Sequence, residues 1–294
     1  MLVVEVFVAQ LVSGIKLGSL YAVVVICYNL LILVTGILHL GYASLLVLSM
    51  YAAWFVLNAT DNNLILGIFA AILSGTVIGA VTAPIFLPFI RRRAVLEALV
   101  ISLALGIISA DIMSHWFNLG LPIAFPPSLQ MEGTAIRWGL IIIRMGELVT
   151  LFAGIIIVFA FLYFLNKTKR GRMLRAVAQD TEVARILGIS VSKTAIFSFA
   201  LAGLIGGLTA ILFAMSTGTG SSILGDSLSI KALAVLFLAS IGNLKGGLIC
   251  AIILGVVESL AMGYLPGDWT NAIAFSVVVV ILLFKPEGLF GEQH

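Results

Sequence analysis

Charge is what this chain has least of. Only 10% of its 294 residues are Asp, Glu, Lys or Arg, against about a quarter in a soluble domain. That is too little polar surface to cover a water-soluble core. The apolar runs are continuous and do not alternate with polar residues, which argues against a transmembrane barrel. There are two cysteines, Cys27 and Cys250, both inside apolar runs and without C-x-x-C spacing, so they read as small buried hydrophobes. Of the three histidines, His39 and His115 could suggest a metal site, but no H-E-x-x-H and no third ligand at workable spacing accompany them. An intramembrane hydrolase would need a G-x-S-x-G, a paired Asp motif or a legible Ser–His arrangement, and none occurs. No G-x-x-x-x-G-K-[ST] is present, so ATP is not bound here by a P-loop. Neither metal nor cofactor is expected, the chain does not read as an enzyme, and nothing points to nucleic acid. The apolar start lacks a basic n-region and an A-x-A-like cleavage site, and reads as a retained first span.

What the chain has instead is hydrocarbon: 62% hydrophobic residues and a mean hydropathy of +1.22. Several runs exceed the ~18 apolar residues that mark a membrane-spanning helix. Hydropathy predicts spans at 3–34, 38–58, 64–90, 94–114, 147–165, 194–216, 229–243, 246–264 and 270–284. The first is long enough for a tilted or broken helix. The pair 229–243 and 246–264 reads equally as one interrupted element, so about eight to ten crossings are expected. The predicted fold is an all-α polytopic transmembrane helical bundle, a single membrane domain over residues 1–294.

The basic residues are not scattered. Arg91, Arg92 and Arg93 form one block, Lys167, Lys169, Arg170, Arg172, Arg175, Arg185 and Lys193 a second, and Lys245 and Lys285 mark two further boundaries. Positive-inside bias places all of these, and the C-terminus, in the cytoplasm of a multi-pass plasma (inner) membrane protein. The alternate loops carry Asp61, Glu132, Asp226 and Asp268, and 115–146, with Pro122, Pro126 and Pro127, is the one long loop on that outer side.

The stretch RGRMLRAVAQDTEVARILGISVSK (170–193) is therefore a polar cytoplasmic segment, within a loop spanning 166–193. Asp180 is a good N-cap and Glu182 places a negative charge in the first turn. Val183, Ala184, Ile186 and Leu187 make an apolar stripe, and Gly188 follows as a C′ residue able to turn left-handed. So short an amphipathic helix is marginal alone in water. Its apolar face needs cover, from the chain's own helix ends, the headgroup layer or a cytoplasmic partner.

This segment carries a resemblance. RAVAQDTEVARILGI is similar to the cytoplasmic loop of permeases from bacterial and archaeal branched-chain amino acid ABC importers, with an E-x-A-x3-G core at Glu182, Ala184 and Gly188. GSLYAVVVICYNLLILVTG (18–36) resembles that family's first span, FALAGLIGGLTAIL (199–212) the span after the loop, and 246–291, with its G-V-V-E-S and closing P-x-G-L-F-G, the C-terminal third. The resemblance implies an ABC importer permease fold without ATPase activity of its own. It also implies a docking segment for ABC ATPase subunits at Arg175, Ala176, Gln179, Asp180, Glu182, Ala184, Leu187 and Gly188. The implied partners are two ATPase subunits, a second permease (a related subunit favoured, a second copy possible), an extracytoplasmic substrate-binding protein and the lipid bilayer. One departure stands out. The family's hydrophilic permease carries an asparagine, histidine and glutamate cluster after its first span. Here ILHLGYASLLVLSMYAAW (37–54) has His39, Tyr42 and Ser44 in the matching places, and its LGYAS is similar to the partner permease instead. Urea, short amides and small carboxylates are moved by similar permeases and stay open as substrates.

Ionisable residues inside spans are functional candidates by default. Lys16, Glu97, Asp111, Lys231 and Glu258 qualify, Glu97 and Asp111 near interfaces, Lys231 able to snorkel from a helix end. Glu258, flanked by Gly255 and Gly263, reads either as a hydrogen-bond hub or as a group lining a pathway. With His39, Tyr42 and Ser44 it forms the candidate substrate pathway. Gly75 with Gly79, and Gly203 with Gly206 and Gly207, allow close helix approach. Without the resemblance, an ion-coupled secondary carrier using Glu97, Asp111 or Glu258 would be the competing function. The exposed E-x-A-x3-G helix argues against it.

Overall fold

The computed structural model describes residues 2–92, 94–117, 121–131, 133–138, 141–264 and 270–291. Arg93, Glu132 and Asp268 fall outside these. The long helices are α1 (Leu2–Thr35), α2 (Tyr42–Ala59), α3 (Leu64–Arg92), α4 (Val95–Trp116), α6 (Met145–Lys167), α9 (Val191–Thr217) and α11 (Leu244–Tyr264). Each is long and apolar enough to cross a bilayer. Between them lie the short helix α5 (Pro127–Gln130), α7 (Lys169–Gln179), α8 (Thr181–Ile186), α10 (Leu224–Ala239) and α12 (Thr270–Phe284).

Helix α1 runs unbroken and is the central pillar, with 83% of its apolar stretch buried; α9 follows at 67%. Helix α3 packs on α9, α6 on both α1 and α9, and α4 on α2; in these three only 17%, 28% and 22% is buried. Small residues set the spacing. Gly14 and Gly18 of α1 lie against Val256 and Ile252 of α11, and Gly75 and Gly79 of α3 interleave with Gly203 and Gly207 of α9. A Cβ at Gly203 would overlap the Gly75 carbonyl oxygen. In lipid, where apolar burial drives nothing, such backbone contact is what holds helices together. Lys16 is not left in hydrocarbon. It bridges α1 to the first turn of α6, its Nζ 2.9 Å from Glu147 Oε1.

The two ends of the bundle differ in chemistry. At one end α3 finishes at Arg91 and Arg92, α6 passes into α7 and α8, and one cavity is lined jointly by Thr35, Arg91, Val177, Arg185 and Gly242. Lys245 lies beside Gly242 and Glu287 at the same end. The basic clusters read from the sequence are thus gathered together. The opposite end carries the described parts of 115–146, expected as a long loop. Two antiparallel ladders form there: β1 (Ile123–Ala124) pairs with β4 (Thr219–Gly220), which follows α9, and β2 (Thr134–Trp138) pairs with β3 (Ile141–Arg144).

The largest shift from hydropathy concerns 229–243. The helix there is α10, beginning at Leu224 and ending at Ala239. Ser240 (φ 70°) and Gly242 (φ 91°) then turn the chain into α11. The pair is therefore two elements meeting at the basic end, not one interrupted span. With 16 residues, α10 is about 24 Å long at the helical rise. It falls short of a ~30 Å hydrocarbon core.

Candidate functional site

The chain does not turn back as soon as α1 ends. After Thr35 at the basic end, the non-helical residues 36–41 lead into the bundle, and Gly41 lies against Gly106 and the Ser102 carbonyl. Gly106 is halfway along the 22-residue α4, about 16 Å from its basic end. Helix α2 therefore starts in the middle of the membrane. Helix α10 starts within the bundle as well, its Gly225 pressed against Ser44 in the first turn of α2. Neither helix start has a side-chain cap, so two positive dipole ends meet at depth.

A polar network holds the two starts in place. Tyr28 Oη is 3.1 Å from Ser229 Oγ and 3.3 Å from the Leu40 carbonyl, and accepts from Ala43 N at 3.4 Å. Ser102 Oγ accepts from Leu40 N at 3.0 Å, so the non-helical segment is clasped from both sides. Ser44 Oγ donates to Asp226 Oδ1 at 3.4 Å. Asp226 was expected in an outer loop; it stands instead in the first turn of α10. Tyr28, Ser102, Asp226 and Ser229 carry no motif. The clue available was the G-D-S start of an element that hydropathy begins five residues too late.

His39, Tyr42 and Ser44 are all buried, none toward lipid. The structure brings the first two together. The His39 ring sits edge-on to Tyr42 and against Phe86 (4.8 Å between centroids) and Phe199 (5.8 Å). Tyr42 donates to the Ala202 carbonyl at 2.7 Å. Neither His39 ring nitrogen has a hydrogen-bond partner. Ser44 points the other way, toward α10. His39 borders a cavity of about 20 Å³ lined by Leu31, Leu46, Ser49, Ile78 and Thr82 among others. That is room for a single water molecule and not for an amino acid.

Glu258 lies deeper. One oxygen pairs with Lys231 Nζ, and the other accepts from Tyr21 Oη at 2.8 Å. Lys231 also reaches Tyr21 Oη at 3.2 Å and is 8% exposed, so it does not snorkel. This triad ties α1, α10 and α11 together, and it compensates two charges that would each be costly alone.

At the basic end, α7 buries Gly171, Leu174 and Val177 against the bundle. Arg175 reaches back to Asn166 Oδ1 at 3.3 Å, and the carbonyl of the half-buried Ala176 accepts from Asp180 N. Asp180 caps α8, its Oδ1 accepting from Glu182 N (2.8 Å) and Val183 N (3.0 Å). Gly188, at φ 80°, closes α8 in a Schellman motif: its N–H donates to the Arg185 carbonyl, and Ile189 N donates to the Ala184 carbonyl. Only Ala184 faces inward. Gln179, Asp180, Glu182 and Gly188 are exposed, and so are Val183 (50%), Ile186 (84%) and Leu187 (72%), the apolar remainder of the stripe.

This architecture has relatives. The chain is 23% identical over 299 aligned residues to the high-affinity branched-chain amino acid transport system permease protein LivH of Salmonella typhimurium, covering 98% of this chain and 96% of that one. It is 22% identical to the corresponding protein BraD of Pseudomonas aeruginosa, over 98% and 97% of the two. Among solved structures, a chain of PsaBC from Streptococcus pneumoniae in complex with Fab aligns with a TM-score of 0.49 at 18% identity, over 95% of this chain and 91% of that one. The profile of the family described as branched-chain amino acid transport system / permease component matches residues 10–282. With nearly its whole length matched and its helices built to cross a bilayer, the chain belongs to that family of multi-pass membrane permeases.

Proposed function

We propose that this chain is a permease subunit of an ATP-driven ABC importer for branched-chain or related amino acids, forming half of the translocation pathway in the plasma membrane. The basic end, segment 166–193 and the C-terminus face the cytoplasm, in keeping with positive-inside bias. An extracytoplasmic binding protein delivers substrate to the end carrying the β ladders. The observation that carries the reading is α8: a helix capped at both ends whose Val183, Ile186 and Leu187 remain uncovered. A groove on an ABC ATPase subunit supplies the missing cover. The coupling set is Arg175, Ala176, Gln179, Asp180, Glu182, Ala184, Leu187 and Gly188.

Substrate passes the adjoining starts of α2 and α10, where His39, Tyr42 and Ser44 line the route and Glu258, behind Lys231, holds α10 in register. The start of α2 presents its positive dipole end to the route, while the start of α10 already carries the Asp226 carboxylate beside Ser44. In this arrangement the His39 cavity is closed, so transport requires a second state in which it opens. The coupling role is tested in the assembled, reconstituted complex. Glu182→Lys reverses the charge at the start of α8. Gly188→Val forces a β-branched residue into a left-handed position at a cost of about 1–2 kcal/mol; no atom within 4 Å would clash with the new Cβ, so the effect is backbone strain. Both variants should hydrolyse ATP without moving substrate. Wild-type transport by both would remove the assignment, and ATP-independent uptake would favour an ion-coupled carrier.

A further inference from the structure

Three helices form the outer wall of the bundle, and they are not alike. Over its whole length before Arg91, α3 carries no charged side chain, and α6 carries none between Glu147 and Lys167. Helix α4, equally peripheral, carries Asp111 and His115 in contact at 3.2 Å, with side chains 69% and 72% exposed. Asp111 lies on a stripe with Val100 (63% exposed) and Ile107 (69%). Next to α4 is α10, joined to it where Ser114 Oγ meets Ser222 Oγ at 3.2 Å. Its exposed face runs Ile223 (72%), Asp226, Ile230 (54%) and Phe237 (45%). Asp226, exposed, sits beside Ser44, one helical turn from the membrane midplane that Gly41 and Gly106 mark. Among the described residues it has no ion-pair partner, only the long hydrogen bond from Ser44.

A carboxylate turned to acyl chains at that depth costs several kcal/mol. The face that carries it must therefore meet protein or water, whereas α3 and α6 suit lipid throughout. We infer that the α4–α10 face is the side by which this chain meets the second permease, with Asp226 turned into a water-filled passage between the two and Ile107 and Ile230 packing near its edge. The inference rests on the paired-permease reading above and adds which face makes the pair. A passage between the subunits also keeps the carboxylates hydrated if the partner is a second copy and the two-fold axis sets like charges opposite each other.

Photocrosslinking in the purified complex tests it. Benzoylphenylalanine at Ile107 or Ile230 should give a permease–permease adduct, and at Val77 of α3 or Phe159 of α6 only lipid adducts. Permease adducts from Val77 or Phe159 with silence at Ile107 and Ile230 would overturn the choice of face while leaving the pair intact. No permease adduct anywhere, together with a native mass holding one permease, would overturn the pair itself. As a second reading, Asp226→Cys should react with a charged, membrane-impermeant thiol reagent about tenfold faster than Val77→Cys, because only a hydrated thiol ionises to the reactive thiolate. The native Cys27 and Cys250 are buried and contribute little background. Equally slow reaction at both positions would place Asp226 away from water and end the proposal.

Discussion

At the scale of single residues, His39 separates stability from function most cleanly. A buried imidazole packed against Phe86 and Phe199, with no protein group on either nitrogen, gains nothing for the fold from its polarity that an apolar ring or chain would not supply. A residue retained only for packing would be improved by an apolar side chain of similar volume. His39→Leu is therefore expected to leave the melting temperature of the purified complex unchanged or raise it, while substrate uptake falls. A lower melting temperature with uptake lost in proportion would make His39 a structural residue. The residues of α8 present the opposite case. Asp180 and Gly188 are fully explained by local geometry, two backbone donors accepted and one left-handed turn closed, and both were legible as cap signals because capping is a matter of neighbours in sequence.

At the scale of elements, α10 is the piece whose placement matters most, and charges hold it. The Lys231–Glu258 pair and Tyr21 fasten its middle, and Ser229 with Tyr28 fastens it to the start of α2. Removing one member of a buried pair strands the other, at about 3–5 kcal/mol, whereas replacing both with apolar residues is close to neutral. Lys231→Met and Glu258→Leu alone should each sharply lower the thermal stability of the complex, and the double variant should recover most of the loss. Additive losses in such a double-mutant cycle would show that the two side chains act independently. Hydropathy misplaced this element because a helix start packed inside protein needs no apolar run of membrane length. The register of α10 is set by Gly225 against Ser44, a contact between residues distant in sequence.

At the scale of the whole molecule, the proposed coupling role gives one α8 per chain, and two ATPase subunits would need two such helices. The intact complex, purified with the products of neighbouring genes and weighed by native mass spectrometry, is expected to hold two permeases and two ATPase subunits, with a related second permease favoured over a second copy. An active complex with a single permease would refute this assembly.

Composition and hydropathy alone determined that the chain is a polytopic helical membrane protein, roughly where most helices run and which ends share basic charge. They could do so because the bilayer as solvent imposes length and apolarity on each span separately. The motif of α8 was likewise complete within nine consecutive residues. Tertiary structure alone decided that α2 and α10 begin inside the bundle, that Lys231 pairs with Glu258, that His39 sits between Phe86 and Phe199, and that Asp226 stands on an exposed intramembrane face. Each of these depends on which helix lies beside which. In a chain this uniformly apolar, that choice is made by glycine contacts and a few buried polar pairs, and no periodicity in the sequence records it.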